Sequence, residues 1–435
     1  MHHSGMAQIP GVLTKGSLAT ARGAAHSRHR STIKSSSMTD LPVTPRASRS
    51  LRFADLRGLS RLGIDAVVGV TDIVESMHHT IASRPGIVGR GPAGRTSGIT
   101  GFVYRAVRGT TRVLGQGLDA LLAAVPSANV ASSPEREALL AALNGVWGDH
   151  LANTGNPLAI TMSLRSGGRP HEAALTRRTG KLLVLVHGLA MNDLQWTRHG
   201  HDHGQALARD LGFTPVYLHY NSGRHVSQNG REFAALLDDL VASWPQPVQE
   251  LAIVGHSMGG LIVRSACSVG AEQAWMNVLT KLVFLGTPHH GAPLERGGRL
   301  VDSLLGVSPY VAPLARLGKA RSAGITDLRF GNLHDADWRH RDRHAQRHDD
   351  RLPTPLPEGV PAYLVAATKA GKARGVRSAT LGDGLVALAS ALGEHRDPRH
   401  TLRVPKSRRL VVTEANHWDL LSRADVYDQL RRWLT

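Results

Sequence analysis

From residue 158 onward, apolar strand-like runs alternate with helix-like segments, and this alternation limits the fold more than any other feature. The run LLVLV at 182–186 is apolar throughout, which suits a strand buried on both faces of a sheet. The strand-like runs are 158–164, 182–186, 214–220, 251–255, 281–286, 360–368 and 409–414, and the helix-like ones are 226–243, 258–270 and a last helix from about 423. The alternation predicts an α/β fold, with a mostly parallel sheet and helices on both faces.

The residues before this alternation follow a different pattern. Residues 1–50 are rich in Ser, Arg, Thr and Pro and poor in apolar side chains, which predicts a disordered tail. Within it, Met38 is a candidate start of translation. The alternative for the Arg-rich, Ser-rich segment 1–37, which has no acidic residue, is an organellar transit segment.

Residues 51–157 carry apolar side chains at helical spacing and predict an α-helical N-terminal region. Two helices are expected over about 55–83 and 98–125. A third, ending near Leu151, has a start signal, with Ser133 as N-cap and Pro134 at the first helical position. We interpret this region as packed on the downstream domain; a role at a membrane surface is the alternative.

Charge and cysteine content limit the partners and the compartment. The net charge of +18 should attract anionic surfaces, and peripheral attachment to anionic membranes is one hypothesis. The arginines are spread along the chain and aromatic residues make up only 4%, so nucleic-acid binding is not expected. The single cysteine, Cys267, excludes an intramolecular disulfide, and no apolar run is long enough to span a membrane. We expect a cytoplasmic protein without a secretory signal peptide.

The stretch LAIVGHSMGGLIV at 251–263 places a serine between glycines where a predicted buried strand meets a predicted helix. Its centre, GHSMG at 255–259, matches G-x-S-x-G, the nucleophile elbow. The sharp turn strains the backbone of the serine, and larger residues two positions before and after would collide across it. In a chain with 46 glycines the pattern alone is weak, and the strand-turn-helix setting gives it weight. The stretch predicts that the Ser257 hydroxyl is an exposed nucleophile.

Five motifs together resemble the α/β-hydrolase superfamily, in particular its lipase-like branch of bacterial triacylglycerol lipases and GPI inositol deacylase-like proteins. They are LVHGL at 185–189, GHSMGG at 255–260, GTPHHG at 286–291, GDGLV at 382–386 and NHWDLL at 416–421. The resemblance covers about residues 158–435 and implies an α/β-hydrolase fold there. The helical region 51–157 matches no motif of the family.

The resemblance also implies a Ser-Asp-His triad. Ser257 would be the nucleophile, His417 the base that accepts its proton, and Asp383 the acid that orients His417. The chain order Ser, Asp, His is the order that this elbow requires. Competing acids are Glu394, Asp397, Glu414 and Asp419, but Asp383 is the one that matches the family's pattern.

Two backbone N–H groups are predicted to stabilise the oxyanion of the tetrahedral intermediate. The first belongs to Met258, directly after the nucleophile, and the second to Leu189, which follows the HG pair of LVHGL. We interpret GTPHHG as a wall of the site, where His289 and His290 are expected to be hydrogen-bonded rather than catalytic.

About 70 residues follow Gly291 before the next predicted strand, more than a plain loop needs. We interpret residues 292–359 as a cap or lid insertion. Its apolar side chains would cover the serine and line an acyl pocket; they are Leu300, Leu304, Leu305, Val307, Tyr310, Val311, Leu314 and Leu317. A buried helical insertion that does not move is an equal alternative.

Two histidine clusters invite a metal interpretation. His340, His344 and His348 are four residues apart, but Arg and Asp alternate around them as on a solvated helix face. His199, His201 and His203 form the second cluster. A serine triad needs no metal, and we predict neither a metal nor a cofactor.

These observations favour a serine carboxylic-ester hydrolase, a lipase or esterase that acts on an ester or lipid substrate through an acyl-enzyme intermediate. An acyltransferase or a lipid-anchor deacylase is one alternative. A non-catalytic, membrane-associated binding protein is another, and the intact set of Ser257, Asp383 and His417 argues against it. Spacing alone determines neither the acyl chain length nor the oligomeric state.

Overall fold

An eight-stranded sheet forms the centre of the computed structural model, which describes residues 53–82, scattered residues between 105 and 119, 132–174, 178–292, 322–340, 349–371 and 382–435. The strands are β1 (Ser163–Ser166), β2 (Arg169–Pro170), β3 (Lys181–Val186), β4 (Thr214–His219), β5 (Glu250–His256), β6 (Leu279–Leu285), β7 (Ala362–Thr368) and β8 (Arg409–Thr413). Their order across the sheet is β2-β1-β4-β3-β5-β6-β7-β8. Strand β1 pairs antiparallel with β2 and β4, and all other neighbours are parallel. The predicted mostly parallel sheet is confirmed.

Helices cover both faces of this sheet. They are α1 (Phe53–Ala82), α2 (Pro134–Asn153), α3 (His171–Ala174), α4 (His203–Leu211), α5 (Val226–Ser243), α6 (Met258–Val269), α7 (Ala323–Phe330), α8 (Leu388–Ala391) and α9 (Ala424–Leu434). Short 3-10 helices lie at Asp193–Trp196, Ala274–Val278, Asp335–Asp337, Lys406–Arg408 and Asp419–Leu421. Helix α5 has the predicted bounds, and α6 differs from its prediction by one residue at its end.

The pleat of β3 divides the apolar core into two layers. Val184 lies in the layer with Phe233 of α5 and Ile262 of α6, whereas Leu183 and Leu185 point to the opposite layer. Helices α4 and α9 close that second layer. All these β3 side chains are fully buried, and each such burial stabilises the fold by about 1.5–3 kcal/mol. The core therefore fixes the carboxyl ends of the central strands.

The N-terminal helices α1 and α2 are joined by polar contacts. Helix α2 starts as predicted, because Ser133 Oγ accepts a hydrogen bond from the Arg136 N–H at 3.3 Å. Arg136 Nε donates to Asp55 of α1 at 2.7 Å, and Asn156 donates to the Gly58 carbonyl at 3.1 Å. The predicted tail 1–50 lies wholly outside the described residues, and most of the predicted helix over 98–125 does too.

The strand predicted over 158–164 is wrong for most of its length, since β1 starts only at Ser163. Asn144 of α2 binds this segment instead. Its side-chain amide donates to the Leu158 carbonyl at 2.8 Å, and its oxygen accepts from the Ile160 N–H at 2.9 Å. A buried side chain thus satisfies backbone groups that a strand would pair with a neighbour.

Four helices were not predicted, namely α3, α4, α7 and α8, and the two longest of them, α4 and α7, carry capping signals. Asp202 caps α4 by accepting from the Gln205 N–H at 3.0 Å, and Gly212 ends it with φ 74°. Ser322 and Gly331 frame α7 in the same way. Both of these helices are short, with nine and eight residues.

Helix α7 belongs to the predicted insertion 292–359 and packs on the core. Asp327 is fully buried there, and its Oδ2 accepts from the Val226 N–H at 2.8 Å and lies 2.9 Å from His225 Nδ1. The eight apolar residues predicted to line an acyl pocket lie outside the described residues. A moving cap and a fixed insertion both stay predictions.

No helix within the described ranges is long and apolar enough to cross a membrane. Attachment to anionic membranes, inferred from the net charge, stays a prediction.

Candidate active site

Ser257 occupies the sharp turn between β5 and α6. Its backbone has φ 54° and ψ −125°, a left-handed conformation that costs a non-glycine residue about 1–3 kcal/mol. A Cβ on Gly255 would lie 2.7 Å from the Gly260 Cα, and one on Gly259 would lie 2.6 Å from the His187 carbonyl oxygen. These close approaches explain why the turn has glycines on both sides of Ser257.

Ser257 was predicted to present an exposed hydroxyl; the residue as a whole is 4% exposed, and the exposure of the hydroxyl itself stays a prediction. The HG loop after β3 lies directly over it: a Cβ on Gly188 would be 3.0 Å from the Ser257 Cβ. The Ser257 N–H donates to the Leu285 carbonyl of β6 at 2.8 Å. The nucleophile candidate therefore lies under the loop that carries Leu189.

His417 lies in the loop after β8 and is 1% exposed. Its Nδ1 is 2.6 Å from Asp383 Oδ2; because a carboxylate only accepts, this nitrogen carries the proton and donates it. Its Nε2 is also buried and has no hydrogen-bond partner among the described residues. A neutral imidazole held in this way presents an unshared lone pair on Nε2.

Ser257 and His417 approach the same dipeptide from two sides. The Ser257 N–H is hydrogen-bonded to the Leu285 carbonyl. A Cβ on Gly286, the residue after Leu285, would lie 2.9 Å from the His417 Cε1. Since His417 Nε2 is unpartnered within the described chain, no hydrogen bond joins it to the serine hydroxyl in this conformation. Such bonds are often long in enzymes without substrate and tighten when substrate binds.

Asp383 is fixed by its own loop. Its Oδ1 accepts from the backbone N–H groups of Leu385 at 2.9 Å and Val386 at 2.8 Å, which leaves Oδ2 for His417. Three of the four competing acids bind elsewhere, and the fourth is exposed. Asp397 pairs with Arg399, Glu394 with Arg409, Asp419 accepts from the Asn416 N–H, and Glu414 is exposed.

The two predicted oxyanion donors flank Ser257. Met258 is the first residue of α6, where backbone N–H groups lack intrahelical acceptors and the helix dipole favours negative charge. Leu189 lies in the turn after β3, followed by Ala190 with φ 58°. No described residue accepts a hydrogen bond from the Leu189 N–H. Within the described residues, neither N–H group is therefore taken up by another acceptor.

The prediction that His289 is hydrogen-bonded is wrong within the described part of the chain. Neither ring nitrogen has a partner there, and the ring packs edge-on against Phe284 with centroids 5.0 Å apart. His290 makes one long contact, 3.5 Å from its Nδ1 to Arg351. Burial, with a smaller contribution from the nearby Arg264 charge, holds the His289 pKa well below its usual range, and a neutral ring can be packed as an aromatic side chain.

The histidine cluster near α4 is hydrogen-bonded internally. His201 Nε2 lies 2.8 Å from His203 Nδ1, and His203 Nε2 lies 3.0 Å from the Leu420 carbonyl oxygen. His344 and His348 of the other cluster lie outside the described residues. Within the residues that are described, no group of three His, Cys, Asp or Glu side chains is arranged to hold a metal ion.

Sequence reasoning assigned no role to His256 or Ser222. The His256 ring lies 4.7 Å from the His417 ring, centroid to centroid, and its Nε2 is 3.4 Å from the His417 carbonyl oxygen. Burial holds the His256 pKa well below its usual range. Ser222 Oγ accepts from the Ala190 N–H at 2.9 Å. The polar run YNSG at the carboxyl end of β4 was an available signal, since α/β sheets bind ligands at that edge.

A family model described as a PGAP1-like alpha/beta domain matches residues 177–311. Those residues include the elbow and the HG loop, within a sheet of the order given above. This protein has the α/β-hydrolase fold. No curated protein sequence matches it.

Solved structures similar to this α/β-hydrolase fold protein include lipases and esterases. A lipase from Bacillus licheniformis in its mature form is 19% identical, with 63% of this chain and 98% of that chain covered and a TM-score of 0.40. A lipase-esterase related protein from Clostridium acetobutylicum is 12% identical, with 58% and 94% covered and a TM-score of 0.35. An esterase from Pyrococcus furiosus is 13% identical, with 59% and 83% covered and a TM-score of 0.35.

Acidification is expected to destabilise the protein through its buried histidines. Burial lowers the pKa of His187 to about 3, of His203 to about 4 and of His290 to about 3. Between these values and the ordinary pKa of 6.5, the unfolded chain binds more protons than the folded chain, so stability falls as pH drops below 6.5. From pH 7 to pH 5 the loss is about 2 kcal/mol for each such histidine. The urea midpoint should be clearly lower at pH 5 than at pH 7; equal midpoints would contradict this assignment.

Proposed function

We propose that this protein is a serine carboxylic-ester hydrolase of the lipase or esterase type. The observation that carries the proposal is the buried contact of 2.6 Å between His417 Nδ1 and Asp383 Oδ2, with His417 Nε2 left without a partner among the described residues. A histidine oriented in this way is what a serine nucleophile needs as its base. Ser257 supplies that nucleophile, held in its strained turn by a hydrogen bond from its N–H to the Leu285 carbonyl.

The proposed reaction proceeds in two steps. Ser257 Oγ attacks the acyl carbonyl carbon while His417 Nε2 accepts the hydroxyl proton. The bond to the alcohol then breaks, and His417 returns the proton to the departing alkoxide, which leaves an acyl ester on Ser257. Water attacks this ester, with its proton passing to Nε2 and then to Ser257 Oγ. The products are the free acid, the alcohol and the original enzyme.

The burial of the site supports this chemistry. Asp383 and His417 are each at most 2% exposed, so their interaction is little screened by water. The Asp383 carboxylate stabilises the imidazolium that forms when His417 takes the proton. The N–H groups of Leu189 and Met258 would bind the oxyanion of each tetrahedral intermediate, a contribution worth about 10²–10³ in kcat for one donor.

A series of p-nitrophenyl esters from acetate to palmitate tests the proposed function. We expect turnover above the uncatalysed rate, with a chain-length optimum that separates an esterase, which prefers acetate or butyrate, from a lipase, which prefers longer acyl groups. If the folded protein cleaved none of these esters and transferred no acyl group to an added alcohol, this result would contradict the proposal of a general ester hydrolase.

Deacylation of a lipid anchor is the second candidate, favoured by the match of residues 177–311 to the PGAP1-like domain. The same triad would cleave an acyl group from the hydroxyl of a glycolipid instead of a simple alcohol. Fatty-acid release from an acylated inositol glycolipid, with no cleavage of simple p-nitrophenyl esters, would favour this candidate over a general esterase.

A further inference from the structure

Helix α2, from the N-terminal helical region, touches the loop that carries the candidate oxyanion donor Leu189. A Cβ on Gly145 would lie 2.6 Å from the Ala190 Cβ and 2.9 Å from the Ala190 Cα. These distances are shorter than side-chain contacts in folded proteins, so only glycine lets the helix backbone approach Ala190 this closely. The contact joins the N-terminal helical region to the predicted α/β domain, two parts of the chain that have different sequence patterns.

The helix is shaped for this contact. Its regular backbone is interrupted at Trp147, which has φ −128° and ψ 18°, between Gly145 and Gly148. The Gly145 carbonyl accepts a hydrogen bond from Ser322 Oγ at 2.7 Å, and Asp149 accepts one from the Ala323 N–H at 2.9 Å. Two residues at the start of α7 therefore hold this kinked part of α2 in place.

A second link runs through the loop after β4. Asn221 donates from its side-chain amide to the Gly148 carbonyl at 2.8 Å, and the neighbouring Ser222 Oγ accepts from the Ala190 N–H at 2.9 Å. Both side chains are about 1% exposed. Helix α2 thus supports Ala190 directly through Gly145 and indirectly through Asn221 and Ser222.

Ala190 needs this support because of its backbone conformation. With φ 58°, it lies in the left-handed region, which costs alanine of the order of 1 kcal/mol or more unless its surroundings hold it there. Ala190 anchors the short loop that also carries the neighbouring Leu189 N–H, so a shift of Ala190 would displace that donor as well. A displacement of about 1 Å in a catalytic donor is enough to lower a rate by about 10²-fold.

We propose that α2 is a positioning element of the active site, with Gly145 and Ser222 as positioning residues for the oxyanion donor Leu189. The inference rests on the proposed function, since it concerns the same site. It gives the N-terminal helical region a part in catalysis through the shape of the HG loop.

The test compares three full-length variants with the wild type. Gly145→Ala adds a methyl group against Ala190, and Ser222→Ala removes the acceptor of the Ala190 N–H. Gly63→Ala on α1 is the matched control, because a Cβ there would have no atom of a described residue within 4 Å. The readouts are kcat and KM on one p-nitrophenyl ester, the thermal unfolding midpoint, and the inhibition constant of a trifluoromethyl ketone, whose adduct places an anionic oxygen at the oxyanion position.

We expect Gly145→Ala and Ser222→Ala to lower kcat about 10-fold or more with KM nearly unchanged, and to weaken the ketone by a similar factor. Gly63→Ala should match the wild type in all of these. The inference would be overturned if the folded variants kept the wild-type kcat. It would also be overturned if their kcat fell while their affinity for the ketone stayed unchanged. If Gly145→Ala does not fold, Ser222→Ala decides. The proposed function itself would be overturned if the wild type showed no ester turnover, or if its turnover did not depend on Ser257. This inference would then fall with it.

Discussion

The Ser257→Ala variant is expected to lose ester turnover, with kcat lower by about 10⁴-fold or more, because no other group replaces the attacking oxygen. Alanine accepts the backbone at φ 54° no worse than serine does, since the strain arises at Cβ. The variant should therefore fold normally and have a thermal midpoint close to that of the wild type. Release of p-nitrophenol by the purified protein measures the effect.

The matched control is Ser268→Ala, an exposed serine on the same helix, α6. It should keep wild-type kcat and KM. If Ser257→Ala retained more than a tenth of the wild-type rate while folded, Ser257 could not be the nucleophile.

The Asp383→Asn variant is expected to lower kcat by about 10⁴-fold with little change in stability. The amide oxygen can still accept from the Leu385 and Val386 N–H groups, so the loop is retained. The amide nitrogen would then face His417 Nδ1 and donate to it, which moves the imidazole proton to Nε2. A protonated Nε2 cannot accept the proton of Ser257.

Asp397→Asn is the control for this second prediction, because Asp397 is a carboxylate of the same region that pairs with Arg399 at the surface. Its kcat should equal that of the wild type. A small effect of Asp383→Asn with a large effect of Asp397→Asn would show that the acid had been assigned wrongly.

The strands and the elbow could be predicted because each depends on neighbouring residues. The apolar run at 182–186 became β3, and the glycines around Ser257 became a turn in which a Cβ would collide with the backbone. Composition and spacing predicted these features because burial and steric exclusion act over a few residues. The bounds of α5 were predicted for the same reason.

The pairing of Asp383 with His417 could not be derived from the residues alone. The two are 34 positions apart, and five carboxylates lay at comparable positions in the sequence. Asp383 was selected by its resemblance to a family motif. The structure adds the physical reason, because two backbone N–H groups orient its carboxylate towards the imidazole.

Long-range contacts account for what was missed. Asn144 prevents 158–162 from forming a strand, and Gly145 touches Ala190 across the boundary between the helical region and the sheet. The burial of Ser257 follows from the position of Gly188, not from the elbow itself. No local pattern reports such contacts, because they depend on which distant segment packs there.

Covalent labelling tests the central claim most directly. The wild type, treated with a fluorophosphonate and digested, should carry one phosphonyl adduct, and mass spectrometry of the peptides should place it on Ser257. Prior unfolding should prevent the reaction, and Ser257→Ala should take up no label. An adduct on another residue, or equal labelling of the wild type and Ser257→Ala, would contradict the proposal that Ser257 is a nucleophile activated by His417 and Asp383.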